Sequence, residues 1–319
     1  MTENAQDMSL NQDIVYDFAA SPAFAEDGIC FAAKHSGLYR SDDGGETWRF
    51  ALESLDLESP PPATSVEVSP GFVSDKNVFV GVPGGILRSS DGGETWHVVV
   101  LRSPPPSVST LAISPDFTRD GVLLAGTMED GVFRSGDRGK SWAAWSFRLL
   151  DLSVLCMAIS ADFANDETLF IGTESGIFRS RNGGRAWKEG GFSTELAPVL
   201  SLALSPNYAQ DGTLFAGTET HGLHCSKDRG QTWEQMGEDT IAGEAVNGIL
   251  LSPEYPDPPY ILVAVGASLF ISRDEGQTWH PSKARLDPSQ GVVSVLAPQG
   301  LEDNKPLLVG LAGGEVMRL

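Results

Sequence analysis

The sequence predicts an all-β fold: a seven-bladed β-propeller with four antiparallel strands in each blade. Two observations lead to this prediction. Two short phrases recur along the whole chain of 319 residues, and four short β-rich segments fill each interval between them. Repeats of about 40 to 50 residues that each hold four strands are typical of propeller blades.

The first phrase has the pattern Ser-Pro-x-aromatic followed by an acidic residue. It occurs as SPAFAEDG (21–28), SPGFVSDK (69–76), SPDFTRDG (114–121), SADFANDE (160–167), SPNYAQDG (205–212), SPEYPDPP (252–259) and, in degenerate form, APQGLEDN (297–304). The units that contain these copies start near residues 14, 62, 107, 153, 198, 245 and 290. We therefore expect a single propeller domain over residues 1–319.

Each unit has the same internal order. In the third unit an apolar run, STLAIS (109–114), precedes the phrase, and GVLLAGT (121–127) and GVFRS (131–135) follow it. A fourth extended segment begins at a tryptophan, as in TWHVVVL (95–101) of the second unit. Gly, Pro, Asp and Ser separate these runs, and none shows helical periodicity, so we interpret them as strands.

The last unit stops after its third strand, at GEVMRL (314–319), so its outer strand is missing. The N-terminal residues 1–13 precede the first inner strand and have no place in the first unit. We predict that they form the outer strand of the last blade, with Met8 and Leu10 packed inward. This pairing would close the ring and cover an exposed sheet edge.

The second phrase, Ser-x-Asp-x-Gly-x-Thr-Trp, joins the third and fourth strands in six units. An Asp or Asn side chain can accept hydrogen bonds from the N–H groups of its own turn, Gly permits a tight corner, and Trp can fill the gap between blades. The fourth copy departs from the pattern at Asn182 and Ala186. We therefore predict a structural role for Asp43, Trp48, Asp91, Trp96, Asp137, Trp142, Asn182, Trp187, Asp228, Trp233, Asp274 and Trp279.

This phrase resembles the Asp-box, or BNR repeat, of sialidases, xyloglucanases, sortilin-type receptors and photosystem II assembly factors. The resemblance covers nearly the whole chain and is closest in scale to the assembly factors, which implies one seven-bladed propeller without a catalytic set. A sialidase-like enzyme would have an Arg-Ile-Pro motif and a Tyr/Glu pair, and a xyloglucanase-like enzyme would use two propellers. The sequence contains no Arg-Ile-Pro and predicts one propeller.

Both phrases are expected on one face of the ring, because each joins an odd-numbered strand to the next even-numbered one. The opposite face, around the mouth of the central channel, then carries the turns between second and third strands and the links between blades. The candidate binding rim on that face consists of Glu129, Asp130, Glu174, Glu219 and His221. Trp145, the one tryptophan outside the repeated pattern, is either an exposed anchor or an outer-strand packing residue.

Composition excludes several classes of function. Acidic residues outnumber basic ones by 43 to 22, which gives a net charge of −21 and no evident basic patch, so nucleic acid is not an expected partner. No apolar run approaches 18 residues, so we expect no membrane insertion. Cys30, Cys156 and Cys225 do not have the spacing of metal ligands, and the sequence has no phosphate-binding loop, so we expect no metal or cofactor. Free thiols are typical of a reducing compartment and predict a cytoplasmic location.

We interpret the chain as a non-enzymatic propeller scaffold that binds a protein partner, or a glycan, on its channel-mouth face. Assembly of a larger complex is one role that such a scaffold could have. The alternative is a sialidase-like or xyloglucanase-like glycoside hydrolase with an unrecognised carboxylate pair, since glycosidases need two carboxyl groups about 5 to 10 Å apart.

Overall fold

The computed structural model describes residues 13–102, 104–196, 198–241, 243–282, 286–287 and 289–319. Six sheets of four strands and one of three strands follow one another around a ring, and each is a simple antiparallel meander in chain order. The predicted seven-bladed, all-β propeller is confirmed. The predicted outer strand of the last blade, with Met8 and Leu10, falls in residues 1–12, outside the described residues.

The strands of the first four blades are as follows. Blade 1 has β1 (Val15–Ala20), β2 (Cys30–Lys34), β3 (Gly37–Ser41) and β4 (Arg49–Phe50); blade 2 has β5 (Ser65–Val68), β6 (Val78–Val82), β7 (Gly85–Ser89) and β8 (His97–Val99); blade 3 has β9 (Val108–Ile113), β10 (Leu123–Thr127), β11 (Val132–Ser135) and β12 (Ala143–Ala144); blade 4 has β13 (Val154–Ile159), β14 (Leu169–Thr173), β15 (Ile177–Ser180) and β16 (Lys188–Glu189).

The remaining blades repeat this order. Blade 5 has β17 (Val199–Leu204), β18 (Leu214–Thr218), β19 (Leu223–Ser226) and β20 (Glu234–Met236); blade 6 has β21 (Val246–Leu251), β22 (Ile261–Val265), β23 (Ser268–Ser272) and β24 (His280–Pro281); blade 7 has β25 (Val292–Leu296), β26 (Leu308–Leu311) and β27 (Val316–Arg318). Two 3-10 turns, Glu53–Leu55 and Thr194–Leu196, lie in links between blades.

The Ser-Pro-x-aromatic phrase forms one helical turn in five blades, where the sequence predicted only a turn. These helices are α1 (Phe24–Asp27), α2 (Phe72–Asp75), α3 (Phe117–Asp120), α4 (Phe163–Asp166) and α5 (Tyr208–Asp211). In blade 1, Ser21 Oγ donates to Asp27 Oδ2 at 2.6 Å, and the amide of Ile29 donates to Asp27 Oδ1 at 2.9 Å. The Ser and Asp of the phrase thus close a loop around the helical turn.

Each box packs against the helical turn of its own blade. In blade 1 the amide of Gly44 donates to the carbonyl oxygen of Gly28 at 2.9 Å, and blade 3 repeats this bond between Arg138 and Gly121 at 3.0 Å. The two phrases therefore lie on the same face of the ring, as expected. The turns between second and third strands and the links between blades lie on the other, channel-mouth face.

Aromatic rings fill the spaces between blades. Phe72 in α2 of blade 2 packs edge-on against Phe31 of blade 1, and Phe117 in α3 of blade 3 packs in the same way against Phe79 of blade 2. All four side chains are fully buried. Because every blade repeats the phrase, the core is a series of such layers between neighbouring sheets, and burial of these rings is a main source of stability.

A ring of side-chain hydrogen bonds joins the inner strands around the channel. In six of the seven steps a polar side chain donates to a backbone carbonyl at the start of the next inner strand: Thr64 to Val108 (2.7 Å), Ser109 to Val154 (2.5 Å), Cys156 to Val199 (3.6 Å), Ser201 to Val246 (2.7 Å), Asn247 to Val292 (2.8 Å) and Ser294 to Val15 (2.8 Å). The step from blade 7 to blade 1 closes the ring between chain positions 279 residues apart.

The step from blade 1 to blade 2 uses a carboxylate in place of a hydroxyl. Asp17 Oδ2 accepts hydrogen bonds from Ser65 Oγ and from the amide of Val66, both at 2.9 Å. Arg318 adds a second closing contact at the outer edge, where its Nε donates to the carbonyl oxygen of Gly44 at 3.1 Å. The described residues therefore close the ring on their own.

Candidate functional site

The box aspartates use both carboxylate oxygens within their own turns. Asp43 Oδ1 accepts from Ser41 Oγ (2.7 Å) and from the amide of Thr47 (2.9 Å), and Oδ2 accepts from Thr47 Oγ1 (2.6 Å). The hydrogen bonds from Thr47 and Ser41 hold the pKa of Asp43 down to about 2. The same pattern of bonds recurs at Asp91, Asp137, Asp228 and Asp274. These carboxylates are placed to brace a corner, and a group ionised so firmly is poorly suited to proton transfer.

The box tryptophans pack between blades, although they do so unequally. The indole Nε1 donates to a carbonyl of the preceding blade or its link at Trp96 (to Ala51, 2.7 Å), Trp187 (to Trp145, 2.8 Å) and Trp233 (to Gly190, 3.0 Å). Trp142 instead donates to Gly139 of its own box at 3.3 Å, and the indole nitrogens of Trp48 and Trp279 find no acceptor among the described residues.

Trp145 itself is half-buried. The guanidinium groups of Arg134 and Arg185 lie over its ring, at 4.3 and 5.1 Å from the ring centroid. Of the two roles considered from the sequence, the packing role fits this position, because the ring is occupied by two cations of the protein itself.

The predicted rim residues occupy equivalent turns of three successive blades. Glu129, Glu174, Glu219 and His221 are exposed, whereas Asp130 is half-buried and forms an ion pair with Arg102. No hydrogen bond or ion pair joins one rim residue to another in the part of the chain that the structure describes. The rim is thus a row of separate acidic positions.

Large apolar side chains are exposed in the turn of blade 3 and in the link that follows it. Phe147 of this link lies beside the box of blade 4, because its carbonyl oxygen accepts from the amide of Trp187 at 3.0 Å and the guanidinium of Arg148 lies 5.8 Å from its ring centroid. Met128 lies in the turn of blade 3, and Phe147, Leu150 and Leu152 lie in the link 145–153 that leads to blade 4. Phe147 is 68% exposed and Leu150 is 75% exposed. Exposed apolar side chains that cluster in this way mark interaction sites more often than isolated ones do.

The link is held between the turns of blades 3 and 4. The carbonyl oxygen of Leu152 accepts from the amide of Gly131 at 3.0 Å, and Asp151 Oδ2 accepts from the amide of Ser175 at 2.8 Å. Burial raises the pKa of Asp151, but the bonds from Ser153 and Ser175 outweigh it and lower the pKa overall. The exposed apolar side chains are therefore presented on a fixed backbone.

A cavity of about 240 Å³ opens beside Leu150. Its other lining residues are Ser175, Gly176, Ile177, Phe178, Glu189, Gly191, Phe192 and Thr194. Glu189 supplies a carboxylate to its lining, and Glu174 directly precedes the lining residue Ser175. We call this cavity, together with Leu150, Leu152 and Met128 of the adjoining turn of blade 3, the mouth-face site.

The central channel holds two further carboxyl groups. Asp17 of β1 lines a narrow space of about 240 Å³ together with residues of all seven inner strands, and Glu67 of β5 lies close enough for the charge of Asp17 to act on it. Burial raises the pKa of Asp17 to about 6, against the hydrogen bonds that Val66, Ser65 and Phe18 donate to it. Burial, and then the charge of Asp17, raises the pKa of Glu67 well above its usual range.

The described residues form no cluster suited to metal binding or to redox chemistry. No three His, Cys, Asp or Glu side chains lie close enough to hold a metal ion in the described ranges. The three cysteines are free, and burial raises the pKa of each thiol to about 12.

Among the described residues no helix is long and apolar enough to span a membrane. The cytoplasmic location stays a prediction.

The fold and the boxes together define a class of protein: a seven-bladed propeller braced by repeated acidic corners. A family model described as BNR/Asp-box repeat matches residues 39–50 and 270–281, which hold the boxes of blades 1 and 6. The two matches confirm the Asp-box resemblance for these corners, and the structure shows them in a seven-bladed propeller. No curated protein matches the sequence.

Solved structures of two kinds share the fold. The GH74 xyloglucanase from Xanthomonas campestris superposes with a TM-score of 0.73 at 18% identity, over 96% of this chain and 52% of that one. YCF48 with a bound D1 peptide superposes with a TM-score of 0.70 at 17% identity, over 96% of this chain and 93% of that one. YCF48 from Cyanidioschyzon merolae gives 0.69 at 16% identity, over 97% and 95%. The chain spans about half the length of the xyloglucanase, and identities this low show a common fold alone.

Sequence reasoning missed the apolar part of the mouth-face site. The signal was present in FRLLDL (147–152), where four large apolar residues stand in a link that propellers usually keep polar. It also missed a group of basic residues around the box of blade 4, because Arg148 comes from one blade and Arg179 and Lys188 come from the next. No basic patch was therefore evident from the sequence, although one forms when the ring closes.

Proposed function

We propose that this propeller is a non-enzymatic scaffold that binds a protein partner at its mouth-face site. The observation that carries the proposal is the cavity beside Leu150, which is 75% exposed on a link whose backbone is fixed by Asp151. A cavity of about 240 Å³ suits one or two side chains of a peptide. Exposed aromatic and aliphatic anchors around a pocket are the usual centre of a protein interface.

The surrounding charge indicates the chemistry of the partner. Glu129, Glu174, Glu189 and Glu219 lie on or near the site, and Arg102 is already paired with Asp130. A segment with an apolar side chain flanked by Lys or Arg would complement this surface, because opposite charges at the rim steer association and favour one orientation. The bound D1 peptide in the YCF48 structure supports a peptide as the kind of ligand that such a propeller can take.

A photocrosslinking experiment tests the proposal. A photoreactive amino acid would replace Leu150 in one variant and Val73 in another; Val73 is 58% exposed in α2 on the opposite face. We expect a defined crosslinked partner from position 150 that disappears when Leu152→Asp is added; Leu152 is 40% exposed in the same link. Equal crosslinking from both positions, or none from position 150, would overturn the proposal.

A glycoside hydrolase is the second candidate, and the raised pKa values of Asp17 and Glu67 favour it, since a general acid needs such a pKa. Two observations weigh against it. The channel space is about 240 Å³, and Asp17 already accepts three hydrogen bonds, two of which, from Ser65 and Val66, join blade 1 to blade 2. Release of reducing sugar from xyloglucan or of sialic acid from sialyllactose, abolished by Glu67→Gln, would establish the enzyme in place of the scaffold.

A further inference from the structure

A pocket of basic residues lies on the outer part of blade 4, beside its box and apart from the mouth-face cavity. Its volume is about 250 Å³. It is lined by Arg148 from the link of blade 3, Arg179 from β15, Arg181, Asn182 and Ala186 from the box, and Trp187 and Lys188 at the start of the outer strand.

The charge of this pocket is opposite to that of the chain. The net charge of the chain is −21, yet four of the seven residues that line this pocket are basic. In the described part of the chain no carboxylate pairs with Arg148, Arg181 or Lys188, and Arg179 donates only to neutral groups such as the carbonyl oxygen of Arg229, at 2.7 Å. The ion pair between Arg185 of the same box and Glu167 uses a different arginine.

The box of blade 4 differs from the others in the two residues that shape this pocket. In the other five boxes Asp Oδ2 accepts from the hydroxyl of a Thr or Ser four residues later. In blade 4, Asn182 Oδ1 keeps the bonds from Ser180 Oγ and from the amide of Ala186, both at 2.9 Å. Where the other boxes have the acceptor Asp Oδ2, this box has the hydrogen-bond donor Asn182 Nδ2, and Ala186 has no hydroxyl that could bond to it.

These two departures change what the corner can bind. Replacing Asp by Asn removes one negative charge from among four cations, and it adds an N–H donor that has no protein acceptor within the described residues. Replacing Thr by Ala removes the side-chain atoms that would lie against that donor. The corner keeps the hydrogen bonds that stabilise its backbone, and its electrostatic potential becomes more positive, which favours binding of an anion.

We propose that this pocket binds an oxyanion presented by an acidic peptide segment of a protein partner. Guanidinium groups bind carboxylate and phosphate oxygens with two parallel hydrogen bonds, and Arg148 and Arg181, which pair with no carboxylate among the described residues, line the pocket together with Lys188. A cavity of about 250 Å³ fits one such side chain, and the negative charge of the rest of the surface opposes a long polyanion such as nucleic acid. The pocket shares no lining residue with the mouth-face cavity, and its basic lining contrasts with the Glu189 carboxylate of that cavity.

Fluorescence anisotropy of labelled hexapeptides tests this proposal on the full chain. The probes are a glutamate-rich peptide, the same peptide with one phosphoserine, and a lysine-rich peptide. We expect both acidic peptides to bind and Arg181→Ala with Lys188→Ala to weaken them roughly tenfold or more. The matched control, Lys140→Ala with Lys227→Ala, removes the same charge from the boxes of blades 3 and 5 and should change the affinity less than twofold. Equal losses in the two double variants would overturn the proposal.

A second variant restores the usual box. Asn182→Asp with Ala186→Thr should keep or raise the thermal midpoint, because it completes the corner, and should abolish binding of the acidic peptides. Ser90→Asp adds the same charge at an exposed position in the box of blade 2 and should leave binding unchanged. Binding retained by the restored box would overturn the proposal. Competition by inorganic phosphate and by acetate then identifies the ligand. If phosphate displaces the peptides more strongly, the ligand is a phosphorylated side chain, and if acetate does, the ligand is a carboxylate. If neither anion displaces the peptides, the result counts against the site.

Discussion

Single residues of the box show why this corner takes its particular form. Gly139 has a φ of +74°, and a Cβ added there would lie 2.7 Å from Cε1 of Phe79 in the preceding blade. The glycine therefore serves both the turn and the packing between blades. The sequence predicted the turn from the residue type, but the contact with Phe79 depends on how two blades meet and has no signature within one repeat.

Substituting this glycine should separate the two effects. Gly139→Ala is expected to lower the free energy of unfolding by roughly 2 to 4 kcal/mol, since it adds steric overlap to left-handed strain. Gly243→Ala is the control: its φ is +80°, and a Cβ there meets nothing within 4 Å. Denaturant unfolding should show a loss of only about 1 kcal/mol for the control. Equal losses would mean that the packing contact contributes nothing.

The carboxyl group of Glu67 should give the propeller a measurable pH dependence. The pKa of Glu67 is raised in the folded chain above its usual value of 4.5. As the pH rises above 4.5, the carboxyl group therefore ionises in the unfolded chain at a lower pH than in the folded chain, and the folded state becomes progressively less stable. Glu67→Gln is expected to match the wild type at pH 4 and to be more stable at pH 8. Thermal unfolding of both proteins across this range checks the prediction, and parallel pH profiles would contradict it.

At the scale of elements, the repeats specified the strands and their order but not the helical turns α1 to α5. A four-residue helix is too short to show periodicity, and here the Ser and Asp that close it, such as Ser21 and Asp27, hold it in place through side-chain bonds. In blade 6 the corresponding segment, SPEYPDPP, has prolines where the helix would continue, and no helix forms there among the described residues.

The tryptophans at the start of the outer strands should differ in their contribution to stability. Trp96 is buried and donates to Ala51 of the preceding blade, so Trp96→Ala should cost roughly 3 to 5 kcal/mol. Trp142 is half-buried and bonds only within its own box, so Trp142→Ala should cost clearly less. Chemical denaturation of the two variants measures the difference, and a larger loss for Trp142 would refute this ranking.

At the scale of the whole molecule, sequence periodicity was enough for the number of blades and for the face that each turn occupies. It was not enough for the sites. Leu150 and Phe192 line one cavity although they come from different links, and Arg148 joins Lys188 across a blade boundary. A propeller places equivalent residues of successive repeats side by side, so surfaces built between blades appear only once the ring is closed.

The affinity of the crosslinked partner tests the central claim most directly. The segment of the partner that carries the crosslink would be synthesised as a peptide. This peptide would be titrated by calorimetry into the wild type, into Leu150→Asp and into Val73→Asp. We expect Leu150→Asp to weaken binding by roughly 100-fold, because a charge would enter an apolar contact, and Val73→Asp to leave it unchanged. Equal affinities for the wild type and Leu150→Asp would contradict the mouth-face site as the place where this propeller meets its partner.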